Sequence, residues 1–312
     1  MTNRNKQQSF TLIELLVVIV IIGILAGVIM ISTSSSIDKA NIAKSKVFEE
    51  SIQNNLAANM VSAWDADHVT KGATWVLNDK WGNNNGTFYN GTVTTCSTTA
   101  CPQIVNDKNM GNVLSFDGVD DYIDLGGALN FTKEDSFTFS IWIKRTGTVS
   151  GTTKVAGILM NGTSFLGYGI DYYEIGNQIR CGTRNSGENN TIEVTPSNNL
   201  LDWHYVVFSY EPSSLTGIKL YLNGIFKGSR SSVGIIALNN TTLKIAPNNT
   251  LGGDNNYFPG VVNNAKVYNV ALSSSQIKQN YIAGLNSMLS NGNISNEEYN
   301  ERINELARNK ND

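Results

Sequence analysis

The stretch FDGVDDYIDLG, residues 116–126, places four carboxylates within eight residues: Asp117, Asp120, Asp121 and Asp124. A hard cation such as calcium takes about six to eight oxygen ligands from a bent loop. The spacing is not that of an EF-hand loop, and aspartate is also a common turn former. The run therefore reads either as a cation site or as a turn between two strands. A second oxygen-rich loop, GGDNNYF, carries Asp254 and reads the same two ways. Asp120, Asp121 and Asp254 are thus the candidate metal ligands, and calcium is the candidate cofactor.

Catalytic chemistry finds less support. Glycoside hydrolysis needs two carboxylates flanking one bond. Asp171 and Glu174, in DYYE, are three apart, which sends them to opposite faces of a strand. His68 lies in a polar turn, and His204 follows Trp203 at the start of a strand-like run. No serine-centred nucleophile motif or phosphate-cradling glycine loop occurs. The expectation is a protein that is not an enzyme. Rings beside turn-like stretches can stack on sugar faces, and the candidates are Trp81, Tyr172, Tyr173, Tyr257 and Phe258. Trp142 and Trp203 fall within strand-like runs and read as core.

A further carboxylate stands in an apolar run. Residues 9–28 read SFTLIELLVVIVIIGILAGV, with Glu14 inside and no Lys or Arg between Lys6 and Lys39. An ionised carboxylate in hydrocarbon costs several kcal/mol unless it is neutralised or paired. Glu14 either keeps its proton near the interface or takes a partner from elsewhere. Cys96 and Cys101 are separated by four residues in CSTTAC. A small disulfide loop is expected there in an exported protein, because zinc would want more ligands than two thiols supply. Cys181 is then a buried thiol.

These groups need elements to hold them. The apolar run is about as long as one membrane-spanning helix, and its basic leader should stay in the cytoplasm. A secretory signal peptide would have a shorter apolar core with its cleavage site on the far side. Helical spacing continues through Ile37, Ala40, Ala43, Val47, Phe48, Ile52 and Leu56. After Ala57 the chain becomes strand-like. SFTFSIWIKR alternates, with Phe137, Phe139, Ile141 and Ile143 on one face and Thr138, Ser140, Trp142 and Lys144 on the other. WHYVVFSY is nearly continuous in apolar character, and GIKLYLNGIFKG reads as a hairpin about Asn223-Gly224. Two helices are expected at the end, the second capped by Ser295 or Asn296 with Tyr299, Ile303 and Leu306 on its apolar side.

The expected fold class is α+β but mainly β: a long N-terminal helix, an antiparallel β-sandwich and a short helical tail. The expected segments are a leader over 1–9, a transmembrane and assembly helix over 10–58, the sandwich over 59–282 and the tail over 283–312. The 23 basic and 26 acidic residues give a formal charge of −3. That balance carries no general attraction for nucleic acid.

The N-terminal residues SFTLIELLVVIVIIGILA resemble the signature of type IV prepilins and pseudopilins. The resemblance implies cleavage by a prepilin peptidase between Ser9 and Phe10, with Phe10 becoming an N-methylated first residue. It further implies that Glu14 pairs with the N-terminal amine of a neighbouring subunit, making Phe10 and Glu14 the assembly residues. The family usually has glycine where this chain has Ser9. A cut there removes Arg4 and Lys6 and leaves 21 bases against 26 acids.

A second resemblance runs from residue 60 to 282. SAWDAD, WGNNNGTF, VLSFDGVDDYIDLG, FTFSIWIKR, WHYVVFSYE, IKLYLNG and NYFPGVVNNAKVYNVALSSSQIKQNY follow the order of the laminin-G-like, concanavalin A-like jelly rolls. That family implies two curved antiparallel sheets that bind glycans or proteins, often with calcium at the rim. Some members are hydrolases, but their acid-rich strand motif is missing here. Asn263 and Asn264 stand where many relatives have acids. The tail NGNISNEEYNERINEL resembles the short C-terminal helical hairpin called SHOCT. Together these imply a single-pass membrane precursor with its head outside the cytoplasm, and a minor or tip pilin subunit displaying a glycan- or protein-binding head. Its partners would be other pilin subunits, the peptidase and the inner membrane. A secretion-system pseudopilin and a membrane-tethered glycan hydrolase are the alternatives.

Overall fold

The computed structural model describes residues 12–13, 15–24, 47, 51, 56–94, 100–162, 167–185, 188–233, 241–249 and 255–309. Ser9, Phe10, Glu14, Cys96 and Asp254 lie outside the described residues. Residues 12–13 and 15–24 are helical, with exposed apolar side chains such as Leu12 and Ile13. Among the described residues no helix is long and apolar enough to cross a membrane.

From Met60 onward the chain is a two-sheet antiparallel sandwich with a helical tail. One sheet has eight strands. Its order is Ile225–Arg230, Ile218–Leu222, His204–Tyr210, Phe137–Arg145, Pro259–Tyr268, Gly111–Asp117 and Gln103–Asp107, with Met60–Trp64 also paired to Pro259–Tyr268. The other has nine. Its order is Glu188–Val194, Gln178–Asn185, Gly167–Tyr173, Val155–Gly162, Leu243–Ile245, Asp121–Asp124, Gly86–Asn90, Val76–Leu77 and Val69–Thr70.

Alternation explains the packing. Phe137, Phe139, Ile141 and Ile143 enter the core between the sheets, and Trp142 enters a second cluster on the opposite face. The rings of Phe137, Phe139, Tyr168, Phe208 and Tyr210 meet in the inter-sheet core, with Phe137 5.4 Å from Phe208 edge-on and 5.1 Å from Tyr210 in a stack. The hairpin turn lies at Asn223 and Gly224, both with positive φ (54° and 75°), as a two-residue turn between twisted strands requires.

The tail is a third layer. Helix α1, Ser274–Ser290, starts at a capping box in which Ser273 accepts from the Gln276 backbone. Helix α2, Asn296–Arg308, is capped by Ser295 through the Glu298 N–H. The boundary expected at 282/283 therefore falls inside a helix. Ile277, Tyr281, Leu285, Met288 and Leu306 pack with Trp142, Trp203, Tyr205 and Tyr221 on the outer face of the eight-stranded sheet. Trp142 stacks at 5.6 Å on Tyr281. Leu56, just before strand Met60–Trp64, is buried in the same cluster. Cys101 is disulfide-bonded, and Cys181 is a free thiol in the inter-sheet core.

His204 begins a central strand at this seam and is 3% exposed. Burial, aided by the nearby Arg302 charge, lowers its pKa to about 4. The unfolded value is about 6.5, so between these limits the unfolded chain binds more protons. The stability due to neutral His204 is complete above pH ~6.5 and is lost as the pH falls toward 4. Thermal melts from pH 7 to 4 should show His204→Gln gaining on the parent chain by at most about 3 kcal/mol.

Candidate functional site

Strand Gly111–Asp117 belongs to one sheet and Asp121–Asp124 to the other. Residues 118–120 are therefore the crossing between sheets. Gly118 has φ +79°, and a Cβ there would lie 2.6 Å from the Pro259 side chain, so only glycine fits this crossing. Asp117 Oδ1 accepts from the Val119 N–H (2.8 Å) and Asp121 Oδ2 from the Asp117 N–H (3.2 Å). The turn reading of FDGVDDY is thus correct, but the same turn gathers oxygens. Asp117, Asp120 and Asp121 each present a carboxylate oxygen within 4.8 Å of the others. Asp121 is 2% exposed, and its Oδ1 is buried without a hydrogen-bond partner. Burial first, then the charges of Asp117 and Asp120, raise its pKa to about 7. An orphaned buried oxygen in a three-carboxylate set fits a hard divalent cation.

Beyond the crossing the strand alternates. Ile123 points into the inter-sheet core, as do Phe88 and Ile245 on neighbouring strands, so Tyr122, Asp124, Tyr89 and Lys244 take the outer face. Tyr89 and Tyr122 are register partners whose rings stack at 4.7 Å with planes 5° apart. Tyr257 continues the row 6.4 Å from Tyr122. Lys244 Nζ lies 5.1 Å from the Tyr122 ring centre and 3.7 Å from Asp124 Oδ2. Thr242 Oγ1 donates to the same carboxylate oxygen (2.8 Å). Tyr122, Tyr257, Lys244, Thr241, Thr242 and Gly91 line a groove of about 400 Å³. The acidic cluster adjoins it: the Gly91 N–H donates to the Asp120 carbonyl (2.9 Å). Burial and the Asp120 charge also raise the Tyr257 phenol pKa.

The expected binding rings divide. Tyr257 lies at the groove. Tyr172 and Phe258, expected at a binding rim, are core residues with 1% and 0% exposure and offer no ring face to a ligand. Tyr172 falls on the inward phase of its strand with Tyr168 and Ile170. Tyr173 faces outward but lies under the Arg180 guanidinium, 5.1 Å away. Trp81 is 49% exposed and lines a separate groove beside helix α1. Tyr89, Tyr122 and Lys244 were not singled out from the sequence. The signal was the alternation of Tyr122 and Asp124 with buried Ile123.

The other candidates are held in structural roles. Asp171 is fully buried between Arg180 (2.7 Å) and Arg184. Glu174 accepts from the Val149 N–H and pairs with Arg145 at 3.5 Å. Asn263 binds the Asn112 carbonyl (3.0 Å) where its strand bulges. A cleft of about 770 Å³ near helix α2 is lined by charges that include the Arg302–Glu298 pair (2.7 Å).

The fold and groove define a two-sheet jelly roll with a ligand-sized outer groove. Residues 117–278 match the concanavalin A-like lectin/glucanases superfamily, and the chain belongs to it. Residues 4–30 match the prokaryotic N-terminal methylation motif, which implies a type IV pilin-like membrane precursor, here carrying a lectin-like jelly roll. No curated protein matches the chain. Among solved structures, domain 4 of AbnA, a GH43 extracellular arabinanase from Geobacillus stearothermophilus in complex with arabinotriose, aligns with TM-score 0.51 and 16% identity over 72% of this chain and 98% of that one. The botulinum neurotoxin serotype D binding domain gives 0.53 and 15% over 75% and 53%. A Trypanosoma rangeli sialidase mutant displaying trans-sialidase activity gives 0.54 and 17% over 79% and 38%. The chain thus spans about half of the toxin domain's length and under two fifths of the sialidase's. At these identities the likeness is one of fold.

Asp121 supplies a test of the cluster's charge balance. Its folded pKa of about 7 lies above the ordinary aspartate value of about 3.9, so the stability it contributes is complete below about pH 4 and is lost as the pH rises through 7. In chelator at pH 8, Asp121→Asn should melt at a higher temperature than the parent, and the difference should shrink as the pH is lowered toward 4.

Proposed function

We propose that this chain is a minor or tip subunit of a type IV pilin-like assembly whose jelly roll binds glycans in the groove beside Tyr122. The observation that carries the glycan reading is the groove of about 400 Å³ lined by Tyr122 and Tyr257 together with Lys244, Thr241 and Thr242. Tyr89 and Lys244 cover the faces of the Tyr122 ring, so a sugar would meet the ring edges of Tyr122 and Tyr257 and place its hydroxyls against neighbouring donors and acceptors. Lys244, Thr241 and Thr242 supply those groups. The arabinotriose complex of the arabinanase domain lends support by likeness of fold alone.

The N-terminal methylation motif supports processing before Phe10 and pairing of Glu14 with a neighbouring subunit's amine. A bulky head crowds a helical lattice, which favours a minor or tip position at the cell surface. The head is read as non-catalytic because Asp171 and Glu174 are both committed to internal partners. Asp117, Asp120 and Asp121 would hold a calcium ion, which would neutralise the carboxylates at the groove's end.

Tyr122→Ala and Tyr257→Ala should each lower affinity for a bound oligosaccharide about tenfold, the equivalent of ~1.4 kcal/mol. Their melting temperatures should stay close to the parent's. Unchanged affinity in both variants rejects the groove. Mass spectrometry of chain made in a host with prepilin peptidase should find an N-methylated Phe10. An intact Met1 leader, with the peptidase active on a control, rejects the assembly reading.

A further inference from the structure

The outer face of the eight-stranded sheet carries another groove, of about 470 Å³. It runs between strand Met60–Trp64, the bulged part of strand Pro259–Tyr268 and helix α1. Trp142 lines it and is 2% exposed, and its indole N–H, which makes no hydrogen bond among the described residues, is not sealed from the groove. Buried tryptophans usually satisfy this donor. Trp64 gives its N–H to the Asn84 carbonyl (2.8 Å) and Trp203 to Asp107 Oδ1 (2.8 Å). Trp142 is different, and the neighbouring residue of helix α1 keeps it so. A Cβ on Gly284 would lie 2.7 Å from Trp142 Cζ2 and 3.1 Å from Nε1, so a larger side chain would close over the donor.

The rest of the lining mixes apolar side chains, such as Met60, Met110 and Ala283, with amides and with two acids and two bases. The strand bulges between Asn263 and Lys266, and Asn264 takes φ +50° there. Bulges of this kind re-aim side chains and concentrate at binding sites. Asn280 gives its amide N–H to the Tyr268 hydroxyl (3.3 Å), which leaves its carbonyl oxygen for another donor. Lys80 is paired with Asp65 at 2.6 Å, and Asp67 accepts from Asn112 (2.8 Å). At the rim, Trp81 presents a half-exposed ring. Two acids, Asp65 and Asp67, and two bases, Lys80 and Lys266, leave the lining with no net charge to draw a strongly charged ligand. A flat, uncharged ligand rich in hydroxyls finds a ring, an indole donor and amides.

We infer that this groove is a second saccharide site: an uncharged sugar lies on Trp81, and one of its oxygens accepts the Trp142 N–H. Trp64, Trp81 and Gly284 lie outside the segment that matches the lectin superfamily, whereas Trp142, Asn263 and Lys266 lie within it. The site stands on the sheet opposite the tyrosine groove and does not depend on that groove binding sugar. Two sites on one head would let a polysaccharide engage twice, with the second contact made at high effective concentration.

The test follows the indole N–H resonances of the five tryptophans in full-length, nitrogen-15-labelled chain held in detergent micelles. Trp142→Phe assigns the signal. Cellotriose, xylotriose and arabinotriose are titrated separately. The Trp142 resonance should shift saturably with at least one of them, equally in the parent and in Tyr122→Ala. Trp81→Ala, at an exposed position, should weaken that response about tenfold. A Trp142 resonance that stays still with all three overturns the inference. So does a shift that requires Tyr122, or one that Trp81→Ala leaves intact. A Trp142 response without any effect at the tyrosines supports this site and counts against the first groove.

Discussion

The eight-stranded sheet is buried on both faces, and the rest of the molecule is arranged around that constraint. Strand Phe137–Arg145 shows why. Phenylalanine and isoleucine at one phase meet the second sheet, while Thr138, Ser140 and Trp142 at the other lie under the tail. Thr138 is bonded at both ends of this contact: its hydroxyl gives a hydrogen bond to the Val270 carbonyl (2.8 Å) and accepts one from the Leu272 N–H (2.9 Å). That pair steers the chain from the last strand into the tail helices. The tail is therefore not an appendage, because without it Trp142, Tyr205 and Tyr221 would stand in water. Such rings bury large areas, each worth roughly 1.5–3 kcal/mol when covered.

Covering one sheet this way leaves ligands two kinds of place. One is the outer face of the nine-stranded sheet, where the tyrosine row stands. The other is a seam between the covered sheet and its cover. The acidic cluster belongs to the first because the chain changes sheets at Gly118, and the next outward residue after the crossing is Tyr122. A single turn thus sets charge and ring side by side. Lys244 lies over the Tyr122 ring and near Asp124, so it offsets the Asp124 charge on the far side of the ring from the cluster.

Much of this was legible in the chain itself. Strict alternation gave away the central strand, and Asn223-Gly224 its hairpin. Ser273 and Ser295 stand at helix starts where their side chains bond the first turn. The binding face was harder to read. Tyr172 and Tyr173 are adjacent, and only the strand's phase decides which one is core. Phe258 precedes a proline in a turn-like stretch, yet tertiary packing takes it inside. The pairing of Tyr89 with Tyr122 is a matter of register between strands distant in sequence, which no local pattern encodes. The Trp142 groove was hidden for a similar reason, since it needs a glycine from a helix more than a hundred residues away.

The free Cys181 thiol makes the order of folding events matter. It is 0% exposed, its thiol donates to the Lys219 carbonyl at 3.7 Å, and burial drives its pKa well above the ordinary thiol range. Exchange runs through the thiolate and needs access, so in the finished head this sulfur is inert beside an oxidised Cys101. Before strand Gln178–Asn185 is seated, nothing protects it. The hazard of a scrambled disulfide is therefore confined to the time before the sandwich closes. A head that closes slowly would be trapped by oxidation rather than by loss of equilibrium stability.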